Sequence, residues 1–246
     1  MDIRPIHKLS IIIPCYNEER TLKLIVEEIL AVDTGATAKE IVIIDDCSKD
    51  KSLKIARELQ KKHKNVKVLA QSKNQGKGVA LKRGFMESSG DVVIIQDADR
   101  EYDPRDYNRL LDIFREDRAD VVFGSRFSGG APRRVVYLAN TVANKLMTRL
   151  SAVLSGLYVS DIHTCYIMLD GDWIRKAAPT LQSRRFGFNP EIVAVIAKEK
   201  EHLRICETSI SYYGRSRSEG KKIRFTDGIE AIWDIVYYNL KPRSRY

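Results

Sequence analysis

Two aspartates, Asp97 and Asp99, directly follow the apolar segment Val92–Ile95. Residues i and i+2 of an extended chain point to the same side, so two such carboxylates repel each other unless a cation lies between them. Mg²⁺ and Mn²⁺ prefer carboxylate oxygens and complete their coordination with phosphate oxygens. The sequence Asp97-Ala98-Asp99 therefore predicts a site for a divalent cation and a diphosphate, and Glu101 offers a further carboxylate oxygen. The alternative is an acidic turn that caps the next helix.

Two more polar clusters follow short apolar segments in the first half of the chain. Residues 9–13 precede the sequence Pro14-Cys15-Tyr16-Asn17-Glu18, and residues 41–44 precede Asp45-Asp46-Cys47-Ser48. Ligands of open α/β sheets bind beyond the carboxyl ends of the strands, so we expect all three clusters to converge. Asp45 and Asp46 would then accept hydrogen bonds from a nucleoside base or from ribose hydroxyls. The alternative is that this acidic pair only favours a helix start, with Ser48 as its cap.

The sequence Gln75-Gly76-Lys77-Gly78 resembles a phosphate-binding loop only superficially. It does not complete a G-x-G-x-x-G motif, because position 81 is leucine, and it lacks the Walker A spacing. Both absences count against a dinucleotide-dependent oxidoreductase and a P-loop nucleotidase. Lys77 stands just before a predicted helix, where it would contact a diphosphate. The alternative is a solvated turn.

Arginines are conspicuous in the second half of the chain. Arg126 lies in a predicted turn, and a guanidinium binds phosphate through a two-pronged fork. Arg133 and Arg134 follow it closely, while Arg215 and Lys221 lie in a polar, basic loop that would close over a phosphate as a lid does. We therefore expect these five cations to contact phosphate. Surface ion pairs and a solvated run of charge are the alternatives.

The composition excludes several classes of protein. The chain has 246 residues, 43% of them hydrophobic and 30% charged, which is typical of a globular domain and not of a disordered chain. No apolar run reaches the ~18–20 residues of a membrane-spanning helix, and the first ten residues lack the apolar stretch of a secretory signal peptide. The four cysteines form no CxxC pair and no metal-ligand cluster, so we expect reduced thiols in the cytoplasm.

The formal net charge of +9 suggests an anionic partner, such as a nucleic acid, a membrane surface or a phosphorylated ligand. The alternative is a basic, solvated surface. A basic nucleic-acid-binding α/β protein would explain the charge. It would leave the acidic clusters unexplained, because carboxylates repel phosphate unless a metal intervenes. We therefore expect no nucleic-acid partner.

Alternating strands and helices must position these clusters. Apolar strand-like segments at residues 9–13, 41–44, 66–70, 91–95 and 120–123 are separated by helical patterns, of which the first is expected to start at Asn17 as N-cap. Strands that are apolar throughout are typical of a mostly parallel sheet with helices on both faces, as in Rossmann-like α/β folds. The second half is predicted to extend the same domain, with a long helix over residues 135–157, strands at 164–169 and 203–212, and helices near 191–200 and 227–240.

The motifs as a set resemble glycosyltransferase family 2, whose members have the GT-A fold. The resemblance covers roughly residues 8–240 in the expected order. Besides the three clusters above, it includes the sequences at residues 76–78 (GKG), 124–127 (GSRF), 161–166 (DIHTCY), 186–191 (FGFNPE) and 210–215 (ISYYGR). The GSRF sequence and the basic loop look most like polyprenyl-phosphate glycosyltransferases, including dolichyl-phosphate mannose synthases. Two departures are Glu101, where such enzymes often carry Gln, and Thr164-Cys165-Tyr166 in place of a Ser-Gly-Phe sequence.

The resemblance implies an inverting transfer of a hexose from a UDP- or GDP-sugar to dolichyl or undecaprenyl phosphate, with Mg²⁺ or Mn²⁺ as cofactor. It also implies one domain over residues 1–246, with a nucleotide-sugar-binding half at about 8–124 and an acceptor-binding half at about 125–240. The alternative is a family member that acts on a saccharide or other hydroxyl acceptor in cell-envelope glycan synthesis.

The resemblance further implies a role for each site residue. The metal ligands would be Asp97, Asp99 and Glu101. The nucleotide sugar would be bound by Pro14, Tyr16, Asn17, Glu18, Asp45, Asp46, Lys77, Asp97, Ala98 and Asp99. The acceptor phosphate would be bound by Arg126, Arg133, Arg134, Arg215 and Lys221, and the catalytic residues would be Asp99, Asp161 and Arg126. A lipid phosphate is already ionised near neutral pH and needs no strong base, whereas a hydroxyl acceptor needs one, and Asp161 is the first candidate.

The helix predicted over residues 135–157 has an apolar stripe. Its members recur at spacings of three and four, and they are Val135, Leu138, Val142, Leu146, Leu150, Val153 and Leu157. Such a helix can lie in the plane of a membrane interface, where neighbouring cations attract anionic lipids. We therefore expect a peripheral protein at the cytoplasmic face of a membrane. Packing of the stripe on the sheet or on a second subunit is the alternative, and a homo-oligomer or a membrane-anchor partner is compatible with it.

Overall fold

The computed structural model describes residues 4–134, 138–185, 187–215 and 225–242, without the side chains of residues 139 and 225–227. Of the residues singled out above, Val135, Phe186 and Lys221 lie outside this description, as do the neighbouring basic residues Arg217, Lys222, Arg224, Arg243 and Arg245.

Within the described residues, seven strands form one sheet. They are β1 (Lys8–Cys15), β2 (Ala38–Asp45), β3 (Val66–Ala70), β4 (Val92–Ile95), β5 (Val121–Ser125), β6 (Ile167–Asp170) and β7 (Ile205–Ser209). Their order is β3-β2-β1-β4-β6-β5-β7, and every neighbouring pair is parallel except the two that involve β6. The prediction of a mostly parallel α/β sheet is therefore confirmed.

The helices that cover this sheet occupy the intervals between the strands. They are α1 (Leu22–Ala31), α2 (Ser52–Lys62), α3 (Lys77–Glu87), α4 (Tyr107–Arg115), α5 (Leu138–Ser155), α6 (Gly171–Ala177), α7 (Phe188–Lys198) and α8 (Phe225–Leu240), with short 3₁₀ helices at Pro104–Asp106 and Ala178–Thr180. Because both faces of the sheet are covered, its central strands are apolar along their length. Residues 11–13, 41–44 and 92–95 are almost completely buried.

Asn17 does not cap the first helix, so that prediction is wrong. Its backbone has φ of +54°, a left-handed conformation that asparagine tolerates better than most residues, and α1 begins five residues later at Leu22. Asn17 instead ties two loops together. Its N–H donates to Ser48 Oγ (3.0 Å), and its Oδ1 accepts from the backbone N–H of Lys49 (2.7 Å).

Two features of the second half differ from the expected pattern. The strand expected at residues 164–169 is β6, Ile167–Asp170, and it runs antiparallel to both neighbours. The short helix α6 directly after it was not predicted. Its N-cap is Asp170, whose carboxylate accepts from the backbone N–H of Trp173 (2.8 Å).

Helices α5, α7 and α8 pack on one another in the second half of the chain. The described part of the predicted long helix is α5, and α8 confirms the helix expected near residues 227–240. None of the described helices combines the length and the apolar character that crossing a membrane requires.

Candidate active site

The three polar clusters, at residues 14–18, 45–48 and 97–99, lie side by side at one edge of the sheet, as expected. Strands β2, β1 and β4 are parallel neighbours, Cys15 stands opposite Asp45, and Ile12 stands opposite Ile95. The loops that follow these strands are also bonded to each other. The backbone N–H of Glu18 donates to Ser52 Oγ (2.8 Å), so the loop after β1 is fixed to the start of α2.

The centre of the site is a group of four carboxylates that we call the acidic centre, formed by Glu18, Asp97, Asp99 and Glu101. Two cations of the chain hold them. Lys77 Nζ lies 2.6 Å from Asp97 Oδ1, and Arg215 Nη2 lies 2.8 Å from Asp99 Oδ2. Glu101 also receives the Tyr212 hydroxyl (2.7 Å) and the backbone N–H of Arg215 (2.9 Å). The acidic centre therefore joins the loops after β1 and β4 to the chain that follows β7.

The electrostatics of the acidic centre reflect how closely its charges are packed. Burial and the neighbouring carboxylates of Asp97 and Glu101 raise the pKa of Asp99 to about 7, even though Arg215 acts in the opposite direction. Burial disfavours the charged form of Lys77, but the Asp97 carboxylate outweighs it and raises the pKa of Lys77. The raised pKa values of Asp99 and Lys77 both mean that this acidic site favours the protonated, more positive form of each group.

The donor set of the acidic centre has the chemistry that a hard divalent cation requires. Asp97, Asp99 and Glu101 supply carboxylate oxygens, and burial together with the charges of Asp97 and Glu101 raises the pKa of Asp99. In the described part of the chain, no three acidic, histidine or cysteine side chains are arranged to hold a metal as they stand. Lys77 and Arg215 hold the carboxylates instead, so a cation would have to replace these contacts.

The two aspartates at the end of β2 have different surroundings. Asp46 accepts three hydrogen bonds, from Gln71 Nε2 (2.8 Å) and from the backbone N–H groups of Gln75 and Gly76 (both 2.7 Å). Asp45 uses Oδ2 to accept from the N–H of Ser48 (3.1 Å), while its buried Oδ1 has no partner among the described residues. Asp46 therefore holds the turn before α3, whereas Asp45 keeps an oxygen for a ligand.

The turn before α3 packs tightly against the backbone of residues 183–184. Gly76 has φ of +92°, and a Cβ there would lie 2.2 Å from the carbonyl oxygen of Arg184. A Cβ on Gly78 would lie 2.3 Å from the carbonyl oxygen of Ser183, so both positions require glycine. This close approach places Lys77 beside Asp97.

Arg126 and Asp161, which the sequence predicts to be catalytic, bind each other. Nε and Nη2 of Arg126 lie 2.7 and 2.8 Å from the two carboxylate oxygens, and Asp161 is completely buried. Burial opposes ionisation of Asp161, but Arg126 outweighs it and keeps its pKa below the usual range. The hypothesis that Asp161 is the general base for a hydroxyl acceptor does not fit, because both of its oxygens are occupied and it is a weakened base.

Two of the other cations predicted to bind the acceptor phosphate lie near this pair, whereas Arg215 contacts Asp99 in the acidic centre instead. Arg133 is exposed and donates from Nη1 to the backbone oxygen of Arg126 (3.1 Å), while Arg134 donates to that of Gly214 (3.3 Å). The Arg126 guanidinium also lies 5.0 Å from the centre of the Tyr212 ring. Three of the expected arginines, Arg126, Arg133 and Arg134, therefore lie between β5 and the segment after β7.

The remaining predicted positions lie around the acidic centre. Pro14 is opposite Ile44 at the end of β1, Tyr16 is half-buried in the loop that follows, and Ala98 is buried between the two aspartates of the DAD sequence.

A buried group of tyrosines supports the DAD sequence, and sequence analysis did not identify its role. Gln96 Oε1 accepts from the hydroxyls of Tyr107 and Tyr166, both at 2.6 Å, and its Nε2 donates to the backbone oxygen of Asp97 (3.1 Å). The sequence signal for this role was Gln96 itself, a polar residue directly after the apolar strand β4. Its tyrosine partners come from α4 and from the chain before β6, which no local pattern connects.

Comparison with known proteins agrees with this geometry. Residues 10–176 match the family model described as glycosyl transferase family 2. A dolichyl-phosphate beta-glucosyltransferase of Dictyostelium discoideum is 29% identical over 97% of this chain and 74% of its own length, and one of Trichomonas vaginalis is 25% identical over 94% and 74%. The fold is similar to that of glucosyl-3-phosphoglycerate synthase from Mycobacterium tuberculosis in complex with Mn²⁺, UDP and phosphoglyceric acid. That likeness has a TM-score of 0.71 at 17% identity and covers 97% of this chain and 80% of the other.

Proposed function

From the premise that this chain belongs to glycosyl transferase family 2, and is therefore a glycosyltransferase, we propose that it transfers a hexose from a nucleotide sugar to a polyprenyl phosphate. The observation that carries this proposal is the juxtaposition of the acidic centre with the arginines around Arg126. The first group suits a cation-bound diphosphate, and the second suits an anionic acceptor. The names of the dolichyl-phosphate relatives support the acceptor class.

The nucleotide would lie over the ends of β1 and β2. Asp45 Oδ1, which is buried and unpartnered among the described residues, would accept a hydrogen bond from the base. Pro14, Tyr16, Asn17 and Glu18 line the adjacent loop, and Asp46 acts by holding the turn that carries Lys77. Lys77, at the N-terminal end of α3, would approach the diphosphate.

Asp97, Asp99 and Glu101 would hold Mg²⁺ or Mn²⁺. When bound, such an ion supplies positive charge that neutralises the departing diphosphate. The residues of the chain add to this effect, because Lys77 and Arg215 place further positive charge at the same edge of the sheet.

The state of Asp161 favours a phosphate acceptor over a hydroxyl acceptor. A phosphate oxygen is already ionised near neutral pH, so the reaction requires positioning and not a strong base. Asp161, the candidate base, is sealed in its ion pair with Arg126. In this proposal Asp161 is a positioning residue that orients Arg126, while Arg133 and Arg134 lie beside Arg126 to bind the acceptor phosphate.

The acceptor class also calls for contact with a membrane. Helices α5 and α8 expose apolar side chains, including Leu146 at 60%, Val153 at 82% and Trp233 at 68%. Lys145 and Arg149 are exposed on α5 beside them. We assign this surface, which we call the α5–α8 face, to peripheral docking at the cytoplasmic face of a membrane.

The proposed function is tested by incubating the purified protein with radiolabelled UDP- and GDP-hexoses, dolichyl or undecaprenyl phosphate, and Mg²⁺ or Mn²⁺. We expect label in the lipid fraction, its loss in EDTA, and a rate about 100-fold or more lower for Asp99→Ala, which is about 2.7 kcal/mol of transition-state stabilisation.

Asp112→Ala is the matched control, because Asp112 is an exposed partner of Arg115 on α4 and should leave the rate unchanged. Full turnover in EDTA would overturn the metal dependence. Transfer to a saccharide but not to a lipid phosphate would favour the hydroxyl-acceptor alternative.

A further inference from the structure

Arg215 binds three carboxylates at once. Its Nη2 lies 2.8 Å from Asp99 Oδ2, its Nη1 lies 3.5 Å from Glu18 Oε2, and its Nε lies 3.5 Å from Glu101 Oε1. The carboxylates come from the loops after β1 and β4, whereas Arg215 follows β7. One guanidinium therefore lies at the point where these three side chains converge.

The chain around Arg215 is also bound to the acidic centre. The backbone N–H of Tyr213 donates to the Glu101 carbonyl oxygen (2.8 Å), and the Tyr212 hydroxyl donates to its carboxylate (2.7 Å). These bonds hold the chain through the Tyr213 backbone and the Tyr212 hydroxyl, and not through the Arg215 guanidinium. Release of the guanidinium from the carboxylates therefore does not require the segment to detach.

The contacts of Arg215 are weaker in geometry than those of Arg126. Arg126 makes a two-pronged pair with a single carboxylate, at 2.7 and 2.8 Å, which is the arrangement a guanidinium prefers. Arg215 instead divides its nitrogens among three carboxylates, two of them at 3.5 Å, and its buried Nε has no hydrogen-bond partner among the described residues. One positive charge also leaves three carboxylates undercompensated.

We propose that Arg215 is an internal competitor of the divalent cation, which holds the acidic centre before the donor binds and gives it up to the cation that accompanies the nucleotide sugar. This inference rests on the proposed metal dependence. A cation and the guanidinium would compete for Asp99, because two positive charges at such distances repel each other. Free metal must therefore displace Arg215 without offering it a new partner.

The diphosphate changes this balance. A phosphate group presents two oxygens to a guanidinium and binds it in the two-pronged geometry that Arg215 lacks in the acidic centre. Arg215 can then exchange its carboxylates for the diphosphate. The site would accept the cation as its complex with a nucleoside diphosphate in preference to the free ion, and by linkage each ligand would strengthen the binding of the other.

The test is a titration of Mn²⁺, followed by the electron paramagnetic resonance signal of the free ion, into the full-length wild-type protein, Arg215→Gln and Arg215→Lys. We expect Arg215→Gln to bind Mn²⁺ alone about tenfold or more tightly than the wild type. Arg215→Lys retains the charge and should stay within about threefold of the wild type. Saturating UDP or GDP should reduce the advantage of Arg215→Gln or reverse it.

Arg204→Gln is the matched control. Arg204 also binds two carboxylates, those of Asp117 (3.0 Å) and Asp120 (2.8 Å), but it precedes β7 and so lies at the opposite end of that strand. This variant should bind Mn²⁺ as the wild type does. The melting temperature in EDTA and in Mn²⁺ is a second measurement, since Mn²⁺ should stabilise Arg215→Gln more than the wild type.

The outcomes separate this inference from the function on which it rests. If Arg215→Gln binds Mn²⁺ alone no more tightly than the wild type, the competition is excluded even where the enzyme is metal-dependent. If no variant binds Mn²⁺ with or without UDP or GDP, the proposed metal dependence fails and the competition fails with it.

Discussion

Arg126 and Asp161 form a buried two-pronged ion pair at the end of β5, with only 12% of the Arg126 side chain exposed and none of the Asp161 side chain. Removing one partner of such a pair leaves the other charge uncompensated, at a cost of about 3–5 kcal/mol. We predict that Asp161→Asn lowers the free energy of unfolding by about this amount. Urea denaturation at pH 7 measures it.

Asp112→Asn is the control for this prediction, because the Asp112 side chain is 59% exposed and its pair with Arg115 contributes less than about 1 kcal/mol. The pKa of Asp161 is lowered in the folded protein, so its stabilisation is present above its unfolded pKa of about 3.9 and is lost as the pH falls further. The wild-type advantage over Asp161→Asn should therefore shrink below pH 4. Equal stabilities of the wild type and Asp161→Asn at pH 7 would contradict a structural role for the Arg126–Asp161 pair.

The sequence predicted which charged side chains lie at the site, but only the structure shows which group each of them binds. Asp97 and Asp99 were identified because they follow an apolar strand, and parallel strands bring such ends together. Asp161 was the first candidate base in the case of a hydroxyl acceptor, and nothing in the sequence connects it to Arg126, 35 residues earlier. Asp45 and Asp46 are adjacent, and only the folded turn shows that Asp46 is occupied.

At the scale of elements, the turn before α3 depends on the absence of side chains. A Cβ on Gly78 would lie 2.3 Å from a backbone oxygen, which cannot move as a flexible side chain would. We predict that Gly78→Ala displaces this turn and Lys77 with it, which lowers stability by about 1–3 kcal/mol and weakens nucleotide binding. Thermal denaturation and calorimetric titration with UDP and GDP measure the two effects.

Gly228→Ala is the matched substitution, because Gly228 lies within α8 and a Cβ there would meet no atom within 4 Å. Alanine has the higher helix propensity, so this variant should be as stable as the wild type or more stable by about 1 kcal/mol. Unchanged nucleotide affinity in Gly78→Ala would show that the turn does not position Lys77 for the donor.

Element boundaries followed from the sequence where hydrophobic periodicity controlled them. Strand β4, Val92–Ile95, coincides with the apolar run expected at residues 91–95. The start of the first helix was predicted too early, because asparagine is a common N-cap residue. The Asn17 side chain instead accepts a hydrogen bond from Lys49, in the loop after β2. The direction of β6 was not predictable, because antiparallel pairing depends on the path of the chain between β5 and β6 and not on local residue pattern.

At the scale of the whole molecule, the α5–α8 face is the largest set of exposed apolar residues on the described helices. Its large members are Leu138, Val142, Leu146, Val153, Ile229, Ile232, Trp233, Tyr237 and Leu240. The predicted stripe is divided, since Leu150 and Leu157 pack against the core while Leu146 and Val153 are exposed. The two helices pack on each other and both pack on α7. The combination of this surface with a net charge of +9 is what an anionic membrane would attract.

We predict that the protein sediments with anionic liposomes at low salt and less with neutral liposomes or at high salt. Burying one large apolar side chain contributes about 1.5–3 kcal/mol, so Leu146→Ala combined with Trp233→Ala should weaken partitioning at least about tenfold. Met86→Ala combined with Leu24→Ala is the control, because these residues are also exposed but lie on α3 and α1, away from the α5–α8 face. If the folded, active protein binds no anionic vesicle at low salt, and the Leu146/Trp233 variant instead converts a dimer into a monomer, the α5–α8 face is a contact between two copies of the chain.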